Sequence, residues 1–149
     1  MDRKIQKKYV DEGLGFPVHL IDVPMVKIQN EWTLDIDYNR FEIAVLLALV
    51  HKEGRLMGNE LRFIRQHFKL TLEKFGTRFA VSHPAVKKWE AKGNHSTEMM
   101  WATEKDIRLF ILDQLHQKAT IILKVYKKLE IEAPPSSTPI KVEAVKLGA

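Results

Sequence analysis

The sequence predicts a mainly α chain of the α+β class: a small N-terminal β-hairpin or sheet, then a series of short helices, then a long C-terminal helix. Three observations lead there. Residues 16–36 alternate apolar and polar side chains at roughly period two, the spacing of half-buried strands. From residue 40 onward the apolar residues recur every three or four positions, the spacing of amphipathic helices. No Gly or Pro interrupts the stretch from Trp101 to Ala133, so its last helix reads as long. The boundaries that follow are 1–37 for the strand region, 38–116 for a helical domain, 117–132 for a helical extension and 133–149 for a disordered tail.

The elements are justified in turn. Residues 1–13 are charged and read as loosely ordered. Between Phe16 and Ile36 two or three strands are expected, turning near Gln29-Asn30, with Pro24 at a strand start or on an edge because it lacks a backbone donor. Trp32, Leu34 and Ile36 are the expected core of this part, and Trp89 is a core candidate further on. Asp37 or Asn39 can cap a helix over about Arg40–Lys52, with Phe41, Ala44, Leu47, Ala48 and His51 as its buried stripe and Gly54 as its terminator. Met99, Met100 and Trp101 are the expected anchors of the loop over 94–102. Thr103 offers a hydroxyl cap to the next helix, with Glu104 and Asp106 in its first turn. Leu112, Leu115, Ala119, Ile122, Tyr126 and Leu129 then follow a 3-4-3-4-3 spacing, either a helix packing on its own domain or a dimer seam.

Composition sets further bounds. At 149 residues the chain has room for one ordinary domain or two small ones. The absence of cysteine excludes disulfides and thiolate zinc sites. The opening MDRKIQKKYVDEG has no apolar signal region, and the longest apolar run, Ile43–Val50, is far short of a membrane span. A soluble cytoplasmic protein without membrane contact is expected. Six histidines occur with no metal-ligand spacing, and no Gly-rich phosphate loop is present. Ser82 and His83 are adjacent, so on a helix their side chains diverge, and Asp35 and Asp37 suit a solvated turn. No constellation can carry chemistry; a non-enzyme without cofactor or metal is expected.

The informative segment is residues 57–93. Leu61, Ile64 and Phe68 form an inward stripe on a first helix, about Gly58–Phe68. Thr71 can cap a second, about Thr71–Phe79, in which Gly76 permits close crossing by the next helix. Ala80-Val81-Ser82 is the turn, with Val81 plugging the core. Ser82 can cap a third helix whose first turn tolerates Pro84. Ala85, Val86 and Trp89 would face inward, and His83, Lys87 and Lys88 outward. Eight basic residues against three acidic give the segment +5, equal to the +5 of the whole chain. An apolar back with basic donors in front is what a DNA-recognition helix requires.

The residues Leu70-Thr71-Leu72, Phe75-Gly76, Ala80-Val81-Ser82 and Val86-Lys87-Lys88-Trp89-Glu90 resemble the Xre/Cro phage-repressor helix-turn-helix family. Tyr9–Leu14, Val23-Pro24 and Leu56–Arg65 extend the resemblance to the MqsA/YgiT-like antitoxin and regulator family, over residues 9 to 116. The resemblance implies a five-helix Xre-type domain, an Arg65–Glu90 ion pair, and groove-facing positions at Ser82, His83, Pro84, Lys87 and Lys88. Arg62, Lys69, Thr71, Lys92 and Asn94 are candidate phosphate contacts, and Lys88 and His83 candidates for base edges. The sequence departs from the family pattern at Leu72, where a polar residue usually touches phosphate, at Ala80 in place of the turn Gly, and at Pro84 in place of a base-reading residue. It also carries Val26–Glu31 where such relatives hold zinc-binding cysteines. The implied function is a sequence-specific transcriptional regulator, a repressor, binding double-stranded DNA as a homodimer. The alternative is an antitoxin that blocks a toxin ribonuclease and autoregulates its operon.

Overall fold

The computed structural model describes residues 1–149 as an α+β fold of six helices and a four-stranded sheet. The chain divides into two units, Met1–Ala48 with Pro139–Ala149, and Leu49–Thr138. This differs from the boundaries expected from composition, because the last residues return to the sheet.

In the first unit, β1 (Arg3–Asp11), β2 (Val18–Ile28), β3 (Glu31–Leu34) and β4 (Ile140–Glu143) form one sheet with β2 in the middle. Strand β1 pairs antiparallel along β2, from Arg3↔Val26 to Asp11↔Val18. On the opposite edge β3 pairs antiparallel with Met25–Ile28, and β4 pairs parallel with Val18–Ile21. Residues 3–11 are therefore a strand, although their charge predicts loose order. Few of their side chains are buried, and the ladder to β2 supplies the order instead. The expected disordered tail likewise contains β4 and a single 3-10 turn, Val145–Leu147. Ile140, Val142, Ala144 and Leu147 are buried, and this alternating apolar set is what a polar-tail reading overlooks.

Gln29 and Asn30 take φ of 50° and 65°, the paired left-handed geometry of a two-residue hairpin turn. Pro24 lies inside the central strand, contrary to the edge position expected for it. The Pro24 carbonyl accepts from the Asp35 N–H at 2.9 Å, so its nitrogen also faces the β3/β4 side. There β4 ends opposite Ile21 and β3 ends opposite Met25. The missing donor thus falls in a gap of the ladder, which removes the usual penalty. Phe16, Val18, Leu20, Val23, Met25 and Ile36 are buried. Trp32 is 37% exposed, so it is no core residue; the Lys4 ammonium sits 4.4 Å from its ring centroid.

Helix α1 (Tyr38–Val50) is capped by Asp37, whose Oδ1 accepts from the Asn39 and Arg40 N–H groups at 2.9 and 3.1 Å. Its buried positions are Phe41, Val45, Leu46, Leu49 and Val50, one step around the helix from the expected stripe, in which Ala44, Leu47 and Ala48 are only half-buried and His51 is exposed. A run apolar on nearly every side leaves periodicity little power to choose the face. Helix α1 ends before Gly54, which serves close approach instead: a Cβ there would lie 2.1 Å from the Ser136 carbonyl oxygen.

The second unit holds α2 (Gly58–His67), α3 (Leu72–Arg78), α4 (His83–Glu90), α5 (Trp101–Gln114) and α6 (Ala119–Lys128). The long helix expected from residue 103 is two helices. His116 takes φ of 55°, its N–H bonds the Asp113 carbonyl and the Gln117 N–H bonds the Leu112 carbonyl, a Schellman cap built on a non-glycine residue. The Leu112–Leu129 seam therefore does not run along one helix. Met100, not Thr103, is the N-cap of α5, and Met100 is 76% exposed, so of the three expected anchors only Met99 is buried, joined in the loop by Thr97.

An ionic network organises the start of this unit. Arg108, 1% exposed, spends all five guanidinium donors. Nε and Nη2 bond Glu104 Oε2 at 3.1 and 2.6 Å; Nη1 bonds the Val50 and Lys52 carbonyls at 3.2 and 2.6 Å; Nη2 also bonds the Gly54 carbonyl at 2.6 Å. Glu104 Oε1 accepts from Arg55 Nε at 2.9 Å and the Leu56 N–H at 3.2 Å. Arg55 also donates to the Met99 carbonyl. Lys52 Nζ bonds Glu60 Oε1 at 2.7 Å, and that oxygen also accepts the Met57 N–H at 2.8 Å, capping α2. Burial pushes the Glu60 carboxyl up from its ordinary range, opposed by Lys52. Glu104 and Arg108 are four apart on α5 and Glu60 is three residues after Met57, but the long-range partners Lys52, Arg55 and the Val50, Lys52 and Gly54 carbonyls have no spacing signature.

Arg108→Met should lower stability by about 3–5 kcal/mol, since it leaves Glu104 Oε2 and three carbonyls without the donors Arg108 supplies; urea unfolding measures this, and a shift under about 1 kcal/mol contradicts the account. His51 titrates below its ordinary 6.5, because partial burial, Lys128 and Arg108 oppose its charge. A base depressed in the folded state favours folding above 6.5 and loses that contribution as pH falls from there to its folded value. His51→Gln should therefore lose less stability than the parent chain between about pH 7 and 5, as read by thermal unfolding across that range.

Candidate nucleic-acid interface

Three short helices build the surface singled out by sequence. Leu61, Phe63 and Ile64 of α2, Phe75 and Phe79 at α3, and Val86 of α4 are buried. Thr71 caps α3, its Oγ1 accepting from the Lys74 N–H at 3.1 Å, and Ser82 caps α4, its Oγ accepting from the Ala85 N–H at 3.3 Å. Gly76 lets the turn pass against α3: a Cβ there would lie 2.6 Å from the Val81 carbonyl oxygen. Ala80 takes φ of 58°, the left-handed conformation the turn needs, at a cost of roughly 1 kcal/mol. Val81 is half-buried rather than the core plug expected of it, and Trp89 is half-buried as well.

Glu90 holds α4 to α2. It is 3% exposed, and its carboxylate accepts from Arg65 Nε at 2.6 Å, Arg65 Nη2 at 2.9 Å and Arg62 Nε at 3.2 Å. Arg65 Nη1 reaches the Leu70 carbonyl at 3.0 Å, so the same guanidinium also fixes the entry to α3. The hydrogen bonds to Glu90 push the Arg65 guanidinium up. With α4 held by its back, His83, Pro84, Lys87 and Lys88 are exposed.

The other candidates divide. Thr71 and Ser82 are exposed and use their hydroxyl oxygens as caps, which leaves each O–H free to donate. Lys69 is exposed with φ of 57° at the end of α2. Arg62 leaves about half its side chain in solvent beyond its bond to Glu90. Lys92 and Asn94 lie past the far end of α4, in a turn bonded to the start of α2 through the Asn59 N–H and the Gly93 carbonyl at 2.8 Å. Lys92 pairs with Glu98 at 3.7 Å, and Asn94 Oδ1 accepts from Asn59 Nδ2 at 3.1 Å. The structure thus groups His83, Pro84, Lys87 and Lys88 on α4 and sets Lys92 and Asn94 at its other end.

No family model, curated protein or solved structure matches this chain.

The segment's positive charge is distributed unevenly. Arg65 is spent on Glu90, while Arg78 lies over the Phe79 and Phe110 rings and pairs with Asp106 at 3.3 Å. Lys69, Lys74, Lys87 and Lys88 are exposed and make no ion pair. Lys74 is the one sequence reasoning passed over. It entered the charge count, and its place two positions inside the capped end of α3 was the signal. Such a patch can neutralise phosphates, and a lysine beside it can reach guanine acceptors.

Gly76→Ala should destabilise by about 1–3 kcal/mol, because the backbone of the turn has to move; an unaltered melting temperature would contradict the close approach.

Proposed function

We propose that this protein is a sequence-specific DNA-binding transcriptional regulator, a repressor, with α3 and α4 as a helix-turn-helix and α4 as the helix that enters the major groove. The observation that carries this reading is the division of α4: Val86 and Glu90 are buried, Glu90 is ion-paired to α2, Lys87 and Lys88 are exposed and unpaired, and His83 is exposed at the first turn of the helix. Lys88 and His83 read base edges, and Lys87, Lys69, Lys74, Arg62 and the hydroxyls of Thr71 and Ser82 contact phosphates. Pro84 offers only van der Waals contact, to a thymine methyl. The resemblance to the Xre/Cro family, and within it to MqsA/YgiT-like regulators, supports the same assignment.

Homodimer binding places two α4 helices in successive major grooves about 34 Å apart on a pseudo-palindromic site. Leu123 and Tyr126, 55% and 44% exposed on α6, offer apolar surface to a second copy. A second reading, an antitoxin whose strand unit binds a toxin ribonuclease, is favoured by the outer edge of β1, nine residues long and pairing with no further strand.

With an operator selected from random DNA, Lys88→Ala should weaken specific binding by roughly 1–3 kcal/mol, whereas Lys74→Ala should lower the salt slope by about one and weaken all sequences alike. Operator affinity unchanged in the Lys88 variant would remove that residue from the reading face. Co-purification with the product of an adjacent reading frame distinguishes the antitoxin from a free-standing regulator.

A further inference from the structure

We propose that two adjoining cavities beside His51 form a binding site for a small organic anion, a carboxylate carried on an aromatic or branched aliphatic body. One cavity, of about 390 Å³, runs from the end of α1 to the segment after α6, with Trp101, Leu129 and Ile131 along its walls. The other, also about 390 Å³, lies against α6 at Ile121, Lys124 and Val125. His51 and Lys128 line both. Each volume falls in the range of small-molecule sites, which combine apolar walls with a few convergent polar groups.

The walls are held in place. Val125 and Leu129 are buried, and Trp101 Nε1 donates to the Leu129 carbonyl at 2.9 Å. The guanidinium carbons of Arg55 and Arg108 stand 5.4 and 5.3 Å from the Trp101 ring centroid, which fixes that ring.

Charge selects the ligand. Of the cations at the cavities, Lys52 is matched by Glu60 and Arg108 by Glu104. Of the carboxylates, Glu132 is engaged by Arg55 at 3.3 Å, which leaves Glu53. Lys124 and Lys128, one turn apart on α6, have no ion-pair partner. Like charges four residues apart disfavour a helix, and the C-terminal dipole that favours Lys128 gives no such support to Lys124 beside it. His51 faces them, and its proton affinity is lowered by burial and by Lys128 and Arg108. A carboxylate placed among His51, Lys124 and Lys128 relieves that repulsion, while its apolar body covers Ile121, Val125 and Leu129. The side of α6 bearing Leu123 and Tyr126 points the other way, so a second copy there leaves the cavities open. The inference does not depend on DNA binding.

Benzoate is the probe, added to the full chain and followed by the NMR signals of the His51 ring protons and the Trp101 Nε1–H. Saturable shifts and a raised His51 pKa are expected, with benzyl alcohol and acetate each about tenfold weaker or more. Lys124→Gln with Lys128→Gln should weaken benzoate by about tenfold or more while leaving the melting temperature unchanged or higher. Each single variant should weaken it about threefold, which keeps the test sound if the pair unfolds. Shifts linear in benzoate, equal shifts from benzyl alcohol, or benzoate affinity unchanged in folded variants overturn the proposal.

Discussion

The Arg108–Glu104 pair is the interaction on which the helical unit depends. A guanidinium excluded from water is tolerated only when each donor is satisfied, and here three of the five partners are the carbonyls of Val50, Lys52 and Gly54. Those carbonyls lie between Val50 and Gly54, so the cation on α5 fixes the course of that segment within the helical unit. Glu104 then receives the Leu56 N–H and Arg55, and Lys52 passes to Glu60, which caps α2. One charge pair in α5 thereby sets the start of α2 through a continuous series of hydrogen bonds. Arg65 and Glu90 extend the same logic from α2 to α4. The exposed lysines are oriented by buried ions behind them.

Short-range chemistry was legible in the sequence, and long-range chemistry was not. Asp37, Thr71 and Ser82 cap the helices their positions suggest, since a cap needs only its own neighbours. The Gln29-Asn30 turn and the close approach at Gly76 are local in the same sense. The break at His116 has no sequence signal because it uses a left-handed backbone at a residue other than Gly or Asn. β4 is hidden in the sequence because a parallel partner 122 residues away (Val18 to Ile140) leaves no mark beyond the alternation of Ile140, Val142 and Ala144.

The candidate interface shows the same division. Periodicity separates Val86 and Glu90 from Lys87 and Lys88, whereas His83 shares the Val86–Glu90 stripe and is exposed only because it begins the helix. Charge counting, however, treats Arg78 and Lys87 alike. Only three-dimensional placement distinguishes a guanidinium committed to Phe79, Phe110 and Asp106 from an ammonium open to solvent. The cavities beside His51 lie wholly beyond sequence reasoning, since their lining is drawn from the ends of α1, α5 and α6.

The parallel pairing of β4 with β2 also constrains the order of assembly. The helical unit is one continuous stretch, Leu49–Thr138, whereas the sheet unit needs Met1–Ala48 together with Pro139–Ala149. During synthesis the contiguous unit has all its residues while the sheet still lacks a strand, and closing the sheet means a loop spanning more than a hundred residues. Until then the β2 edge from Val18 to Ile21 stays unpaired beside an incomplete apolar face, so the growing chain is most prone to wrong strand pairing in its oldest part, not its newest.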